Sequence, residues 1–181
     1  MESLVDSGKI RAIGVSNFRI DQLERLLSYA RIKPACNQVE SHPWLPQPEL
    51  FDFCKRNNIT FMAYSPLGSQ SGPGAMHTID RYLMEDDSIV GAANRLGVQP
   101  AQILLAWAGR SCFSSLPRIR ALYASFIIPN TVLVQRGSVP LPKSASPDRI
   151  RNNFSCKNVF LPLPLLMSLC NRYSISTCLE N

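Results

Sequence analysis

Four short apolar runs of this chain end in side chains suited to gripping a ligand: Ser16 with Asn17, Asn37 with Gln38, Tyr64 with Ser65, and Lys143 with Ser144. Hydroxyls, primary amides, a phenol and an ammonium offer hydrogen bonds and charge rather than metal coordination. The six cysteines, Cys36, Cys54, Cys112, Cys156, Cys170 and Cys178, contain no C-x-x-C pair and none lies at ligand spacing from His42 or His77. No metal site is therefore expected, and the thiols read as free in a reducing compartment.

The elements that must position these groups follow from periodicity. In ITFMAYSPLGS, Ile59, Phe61 and Ala63 alternate with Thr60, Met62 and Tyr64, and a Ser-Pro-Leu-Gly turn follows. That is the pattern of a buried strand whose C-terminal end carries a loop, and in parallel α/β proteins such ends form the rim where ligands bind. Strands are likewise expected over Ile10–Val15 and Ala35–Val39 and within SVPLP at 138–142. Helical stripes follow them. Ile20, Leu23, Leu26, Leu27 and Ala30 mark one helix, and Leu50, Phe53 and Cys54 a second that Pro48 opens. Asp87 or Ser88 is expected to cap a third, Pro100 starts a fourth with Ile103, Leu104 and Trp107 inward, and Ser146 caps a fifth that opens with Pro147. Glu2–Ser7 reads as the last turns of a further helix, and Gly68–Asp86 as a long loop of the kind that covers a site.

With no hairpin signal between them, such strand and helix units argue for parallel β/α architecture. A closed barrel of this kind needs eight strands and roughly 250 residues, so the expectation is an α/β fold, a partial (β/α)8 barrel of about four parallel units. Residues 109–134 show no period of either kind and read as an irregular insertion, and 155–181 as an irregular, divergent tail expected to be disordered. The expected domain is thus 1–154.

Composition excludes several classes. The 181 residues are 45% hydrophobic, enough for a core, and the apolar runs are shorter than the roughly 20 residues a membrane span requires. MESLVDSGKI lacks the apolar stretch of a secretory signal, so a cytoplasmic protein is expected. The net charge of +6 divides unevenly, −1 over residues 1–108 and +7 over 109–181, without aromatic residues interleaved among the cations. Neither nucleic acid nor a membrane is an expected partner.

AIGVSNF at 12–18, NQVESHPWLPQPEL at 37–50, AYSPLGS at 63–69 and LPKSASPDRIRNNF at 141–154 resemble, in order and spacing, the C-terminal half of the aldo-keto reductases. The resemblance covers residues 1–108 and 135–154. It implies an NADPH-dependent oxidoreductase on a (β/α)8 barrel, acting on an aldehyde, ketone or sugar carbonyl. Carried over residue by residue, it implies that Ser16, Asn17 and Gln38 hydrogen-bond the nicotinamide carboxamide and that Tyr64 stacks on the ring. Ser65, Leu67 and Ser69 match the loop along the pyrophosphate. Lys143, Ser144 and Arg149 match the group that takes the adenosine 2′-phosphate, and Asn153 an adenine contact. Asn152 and Ser146 depart from the glutamate and threonine of many members.

The family's tyrosine, lysine, aspartate and histidine tetrad lies upstream of the segment that Met1 opens, so no catalytic residue is assigned. Tyr64 matches the stacking position and is not a substitute acid. His42 reads as structural in a His-Pro turn, Phe53 and Trp107 as core, and Trp44 as either pocket lining or packed aromatic. The expectation is a truncated reductase that binds cofactor without turnover and can associate with another barrel half. The alternatives are a non-catalytic NADP-binding or regulatory partner and a fragment without function. Residues 109–134 and 155–181 are expected to be translated intron or otherwise aberrant sequence.

Overall fold

The computed structural model describes residues 1–68, 82–109 and 137–159, together with positions 161, 165 and 169. Strands β1 (Val15–Ser16), β2 (Cys36–Glu40), β3 (Thr60–Tyr64) and β4 (Val139–Leu141) form one parallel sheet in sequence order. Helices α1 (Glu2–Asp6), α2 (Ile20–Tyr29), α3 (Pro48–Arg56), α4 (Asp87–Leu96), α5 (Pro100–Ala108) and α6 (Pro147–Phe154) complete it. This is the α/β arrangement of parallel strands and helices expected of part of a barrel.

Register explains which residues share a face. Ser16 pairs with Gln38, Gln38 with Met62, and Met62 with Val139; the next row of the same face holds Glu40, Tyr64 and Leu141. On the other face Asn37, Val39, Phe61 and Ala63 are buried. They pack, with Ile59, against Leu23 of α2 and Leu50, Phe53 and Cys54 of α3, and Phe51 meets Phe61 edge to face at 5.4 Å between ring centroids. The side chains of β2 and β3 that face away from the helices are only half-buried, apart from Thr60, which is exposed. A second cluster joins α4 and α5 through Ile89, Ala93, Ile103, Leu104 and Trp107.

Several expected boundaries shift, each for a local reason. β1 is two residues long rather than Ile10–Val15, because its neighbour β2 pairs with it only through Asn37 and Gln38; before that, Ala35 N–H donates to Ile13 O at 2.7 Å. Helix α4 is capped by Asp86, not by Asp87 or Ser88: Asp86 Oδ1 accepts the Ser88 N–H at 2.9 Å, so the cap lies one residue earlier. Ser146 caps α6 as expected, its hydroxyl accepting the Arg149 N–H at 3.5 Å. The loop from Gly68 contains a 3-10 turn at Leu83–Glu85 with Leu83 buried, and residues 69–81 of it lie outside the described residues.

The insertion expected at 109–134 lies outside the described residues except for Gly109, but its flanks are close. Gly109 and Ser138 form a parallel bridge, and Ser138 N–H donates to Ala108 O at 3.2 Å. The chain leaves α5 and enters β4 at one point. The expected boundary at 154/155 does not coincide with the end of regular structure, since a 3-10 turn continues over Ser155–Asn158. Val159, Leu161 and Leu169 are then buried against the α4–α5 cluster, because their apolar side chains cover α5. Most of the remaining tail lies outside the described residues.

Candidate functional site

The C-terminal ends of the four parallel strands bring the first group of candidate residues into direct contact. Gln38 carbonyl accepts twice at 2.9 Å, from the Ser16 hydroxyl and from the Asn17 N–H. The Tyr64 hydroxyl donates to Asn17 Oδ1 at 3.2 Å, spanning from β3 to the turn after β1. These bonds leave a defined set of groups for a ligand. The Ser16 hydroxyl has spent its proton and offers lone pairs; Asn17 has spent its oxygen and offers Nδ2. Among the described residues no side-chain partner engages the Gln38 amide, which can both give and take.

Asn17 and Ser65, both on this rim, lie in the left-handed region at φ 58° and 47°. For residues other than glycine that conformation is uncommon, and it persists where surrounding contacts over-determine it. The turn after β3 is closed by Gly68 N–H donating to Ser65 O at 2.9 Å, with Pro66 fully buried beneath. Leu67 is half-buried and packs on the α4–α5 cluster. Ser69 lies outside the described residues.

The second group sits past β4. Leu141 is paired with Tyr64, so Lys143, two residues on, leaves the sheet at the same end as Tyr64. Lys143 and Arg149 are exposed, and among the described residues neither cation has an ion-pair partner. Arg151, by contrast, is tied to Asp148 at 2.8 Å. The Ser144 hydroxyl accepts the Ser146 N–H at 3.2 Å, which shapes the approach to α6. Asn153 is half-buried on α6, a helix fastened to α5 where Gln102 Nε2 donates to Asn152 O at 3.2 Å. No hydrogen bond among the described residues links this group to Ser16, Asn17, Gln38 and Tyr64; they share a rim and a register.

A cleft of about 680 Å³ opens beside the first group, with Asn17, Phe18, Glu40, Gln47 and Tyr64 in its wall. At its mouth Arg19 and Asp21 pair at 2.7 Å, and the hydrogen bond from Arg19 holds the Asp21 carboxyl below its ordinary range. Gln47 Nε2 donates to Glu40 O at 2.6 Å and fixes the loop over it. His42 is buried with Nε2 3.2 Å from Glu40 Oε1, inside the turn that His42 and Leu45 close, which is a structural placement. Trp44 packs against the α4–α5 cluster.

Asn37, expected at the rim beside Gln38, is turned the other way, because successive residues of a strand face opposite sides. Asn37 is fully buried on the helix side of β2, where its amide accepts from Phe18 N–H at 3.3 Å and donates to Phe18 O at 2.8 Å. The available signal was its phase: it alternates with Val39 on the apolar face of a strand, and a buried amide there must be satisfied by something. It also hydrogen-bonds the thiol of Cys54, which burial pushes up to about 11.

Comparison with known proteins agrees with this geometry. The sequence model of the Aldo/keto reductase family matches residues 1–163. A glycerol 2-dehydrogenase (NADP(+)) of Hypocrea jecorina is 41% identical over 155 residues, covering 86% of this chain and 40% of that protein. An aldo/keto reductase of Synechocystis is 40% identical over 162 residues, covering 89% and 42%. The solved aldose reductase of Giardia lamblia superposes with a TM-score of 0.72 at 31% identity, covering 96% of this chain and 48% of that one. The chain thus spans about two fifths of the length of the curated relatives it matches. Four parallel strands in sequence order, the contacts of Ser16, Asn17, Gln38 and Tyr64, and a match over 163 residues agree: the chain belongs to the aldo/keto reductase family, whose members include oxidoreductases.

Proposed function

We propose that this rim binds NADPH, and that the chain supplies the cofactor-holding part of a reductase acting on an aldehyde, ketone or sugar carbonyl. Bound there, the cofactor supplies the hydride. The protein's own residues orient it. Ser16 accepts from and Asn17 Nδ2 donates to the carboxamide, with Gln38 completing the set, so one face of the ring is presented; Tyr64 offers its ring for stacking. Ser65, Leu67 and Ser69 run along the pyrophosphate through backbone and hydroxyl groups.

Lys143, Ser144 and Arg149 take the 2′-phosphate, with Asn153 toward the adenine. An ammonium, a hydroxyl and a guanidinium fork suit a phosphate dianion, which favours NADPH over NADH. The observation that carries the reading is the register of Tyr64 with Leu141, because it puts the Tyr64–Asn17–Gln38 contacts and the exposed Lys143 at the same end of one sheet. A relative named as a glycerol 2-dehydrogenase (NADP(+)) supports the choice of cofactor.

The acid that protonates a carbonyl oxygen is not among the residues this reading assigns, so the 181-residue chain alone is proposed to bind NADPH without turnover. β1 and β4 each pair on one side among the described residues, and their free edges are where another barrel half would add. In this reading the protein is cytoplasmic; no helix among the described residues is long and apolar enough to cross a membrane. The test is fluorescence titration of the purified chain with NADPH and NADH, followed by assay with a broad aldehyde. Tighter binding of NADPH without turnover is expected. Turnover would overturn the non-catalytic part, and absence of binding the whole.

A further inference from the structure

We propose that Asn37 is a positioning residue: it holds the β1–α2 turn in the shape that lets Asn17 meet Tyr64, and so sets how tightly the nicotinamide end of a dinucleotide is held. This rests on the NADPH reading above and adds to it a residue that touches no ligand.

The geometry starts from two neighbours on β2 that point to opposite faces. Gln38 faces the rim and its carbonyl accepts the Asn17 N–H; Asn37 faces the helices and its side chain takes the peptide groups on either side of Phe18. The peptide linking Asn17 to Phe18 is therefore fixed from beyond its end, while Asn17 is fixed at its own nitrogen. Between those two anchors Asn17 sits at φ 58°. A left-handed residue held on both sides has little freedom to relax, and its Oδ1 stays where the Tyr64 hydroxyl reaches it at 3.2 Å.

Only a primary amide of this length meets both demands. Oδ1 accepts and Nδ2 donates, in the order that the Phe18 N–H and carbonyl require. Aspartate lacks the donor and would set a carboxylate against the Phe18 carbonyl; alanine supplies neither bond. Because Asn37 is fully buried, water does not replace what is lost. The turn then relaxes toward ordinary φ, Asn17 leaves Tyr64, and the carboxamide loses an aimed donor while Lys143 and Arg149 are untouched.

The test separates the two ends of the cofactor. The parent chain, Asn37→Asp, Asn37→Ala and the control Phe53→Leu, which trims the same buried cluster and removes no hydrogen bond to the turn, are titrated with NADPH and with 2′,5′-ADP. Both Asn37 variants should bind NADPH about tenfold or more weakly, as expected for one or two lost hydrogen bonds, and 2′,5′-ADP within about twofold of the parent. Phe53→Leu should lower the unfolding midpoint and leave both affinities in place. NADPH affinity unchanged in a folded Asn37 variant overturns the positioning role while the NADPH reading stands. A parent that binds neither probe overturns the NADPH reading, and this inference with it. Hydrogen exchange on the parent needs no variant: a Phe18 amide exchanging as fast as an exposed loop amide also overturns it, whether or not the variants fold.

Discussion

Removing Lys143 and Arg149 should cost affinity for NADPH and none for NADH. Both cations are exposed and unpaired among the described residues, so their free side chains are hydrated and lightly restrained. Opposite unit charges at 4 Å are worth about 1 kcal/mol in bulk water and about 4 kcal/mol at a surface dielectric near 20. For exposed groups that must also be ordered, the lower part of that range applies, about 1–2 kcal/mol each. Lys143→Ala and Arg149→Ala should each weaken NADPH roughly tenfold, and the double variant roughly a hundredfold. NADH has no 2′-phosphate and should bind all three alike. The NADPH loss should shrink as salt rises, since exposed charges are screened over about 10 Å at 0.1 M. Arg151→Ala is the internal control: Arg151 lies on the same helix but is paired with Asp148, and NADPH affinity should not change. None of these exposed substitutions should change the unfolding free energy measured in urea by more than about 0.5 kcal/mol. Equal losses for NADPH and NADH, or an Arg151 effect as large as that of Arg149, would refute the assignment.

Two further perturbations probe the scaffold. The Cys54 thiol is pushed by burial up to about 11 from an ordinary 9.0, so between those pH values the folded chain keeps a proton that the unfolded chain has lost. Stability should fall as pH rises through that window, by on the order of 2 kcal/mol, and be unaffected below it; urea titrations at pH 8 and 10.5 should show that Cys54→Ala removes this component, and a parent and variant with the same pH slope would contradict it. Replacing residues 110–136 with a short glycine-serine linker should leave the fold intact, because Gly109 and Ser138 are already bridged. Shortening a loop recovers on the order of 1 kcal/mol of closure entropy, so an unchanged or slightly raised melting temperature is expected, and a collapse of the transition would show that those residues are needed for packing.

What could be read from the sequence was what depends on local pattern. Ile59, Phe61 and Ala63 announced β3 through their alternation, Pro48 and the Leu50, Phe53 and Cys54 stripe announced α3, and Ser146 announced the start of α6. The misreadings share a cause. The extent of β1 depends on how much of β2 is left to pair with it, a fact about another segment. The Asp86 cap turned on which of three adjacent polar residues adopts extended backbone. Val159, Leu161 and Leu169 looked like an aperiodic tail because Pro162 and Pro164 interrupt the run in sequence, yet all three join the α4–α5 cluster, Leu169 from helical backbone. In the site, strand ends marked Ser16, Gln38 and Tyr64, whereas Asn37 was hidden because its importance lies in the peptide groups it meets across a gap of 19 residues.

The two groups on the rim differ in how far they are organised before any ligand arrives. Asn17 is held at its nitrogen by Gln38, at its side chain by Tyr64 and beyond its carbonyl by Asn37, and Ser65 is locked in a closed turn over buried Pro66. A strained residue costs on the order of 1–3 kcal/mol, and here each of the two is restrained by several contacts that the folded chain makes anyway. Lys143 and Arg149 have no such restraint: they hang from a capped helix start and the end of a short strand, with long side chains free to move. Immobilising a flexible side chain on binding costs about 0.5–1.5 kcal/mol, whereas a preorganised group adds its bonds at little entropic cost. In the proposed reading the nicotinamide end therefore contributes orientation, fixing which face of the ring is offered, while the phosphate end contributes salt-sensitive attraction. That division follows from the fold, since the strand ends beside β2 are tied together by hydrogen bonds and, among the described residues, no hydrogen bond joins Lys143 or Arg149 to them.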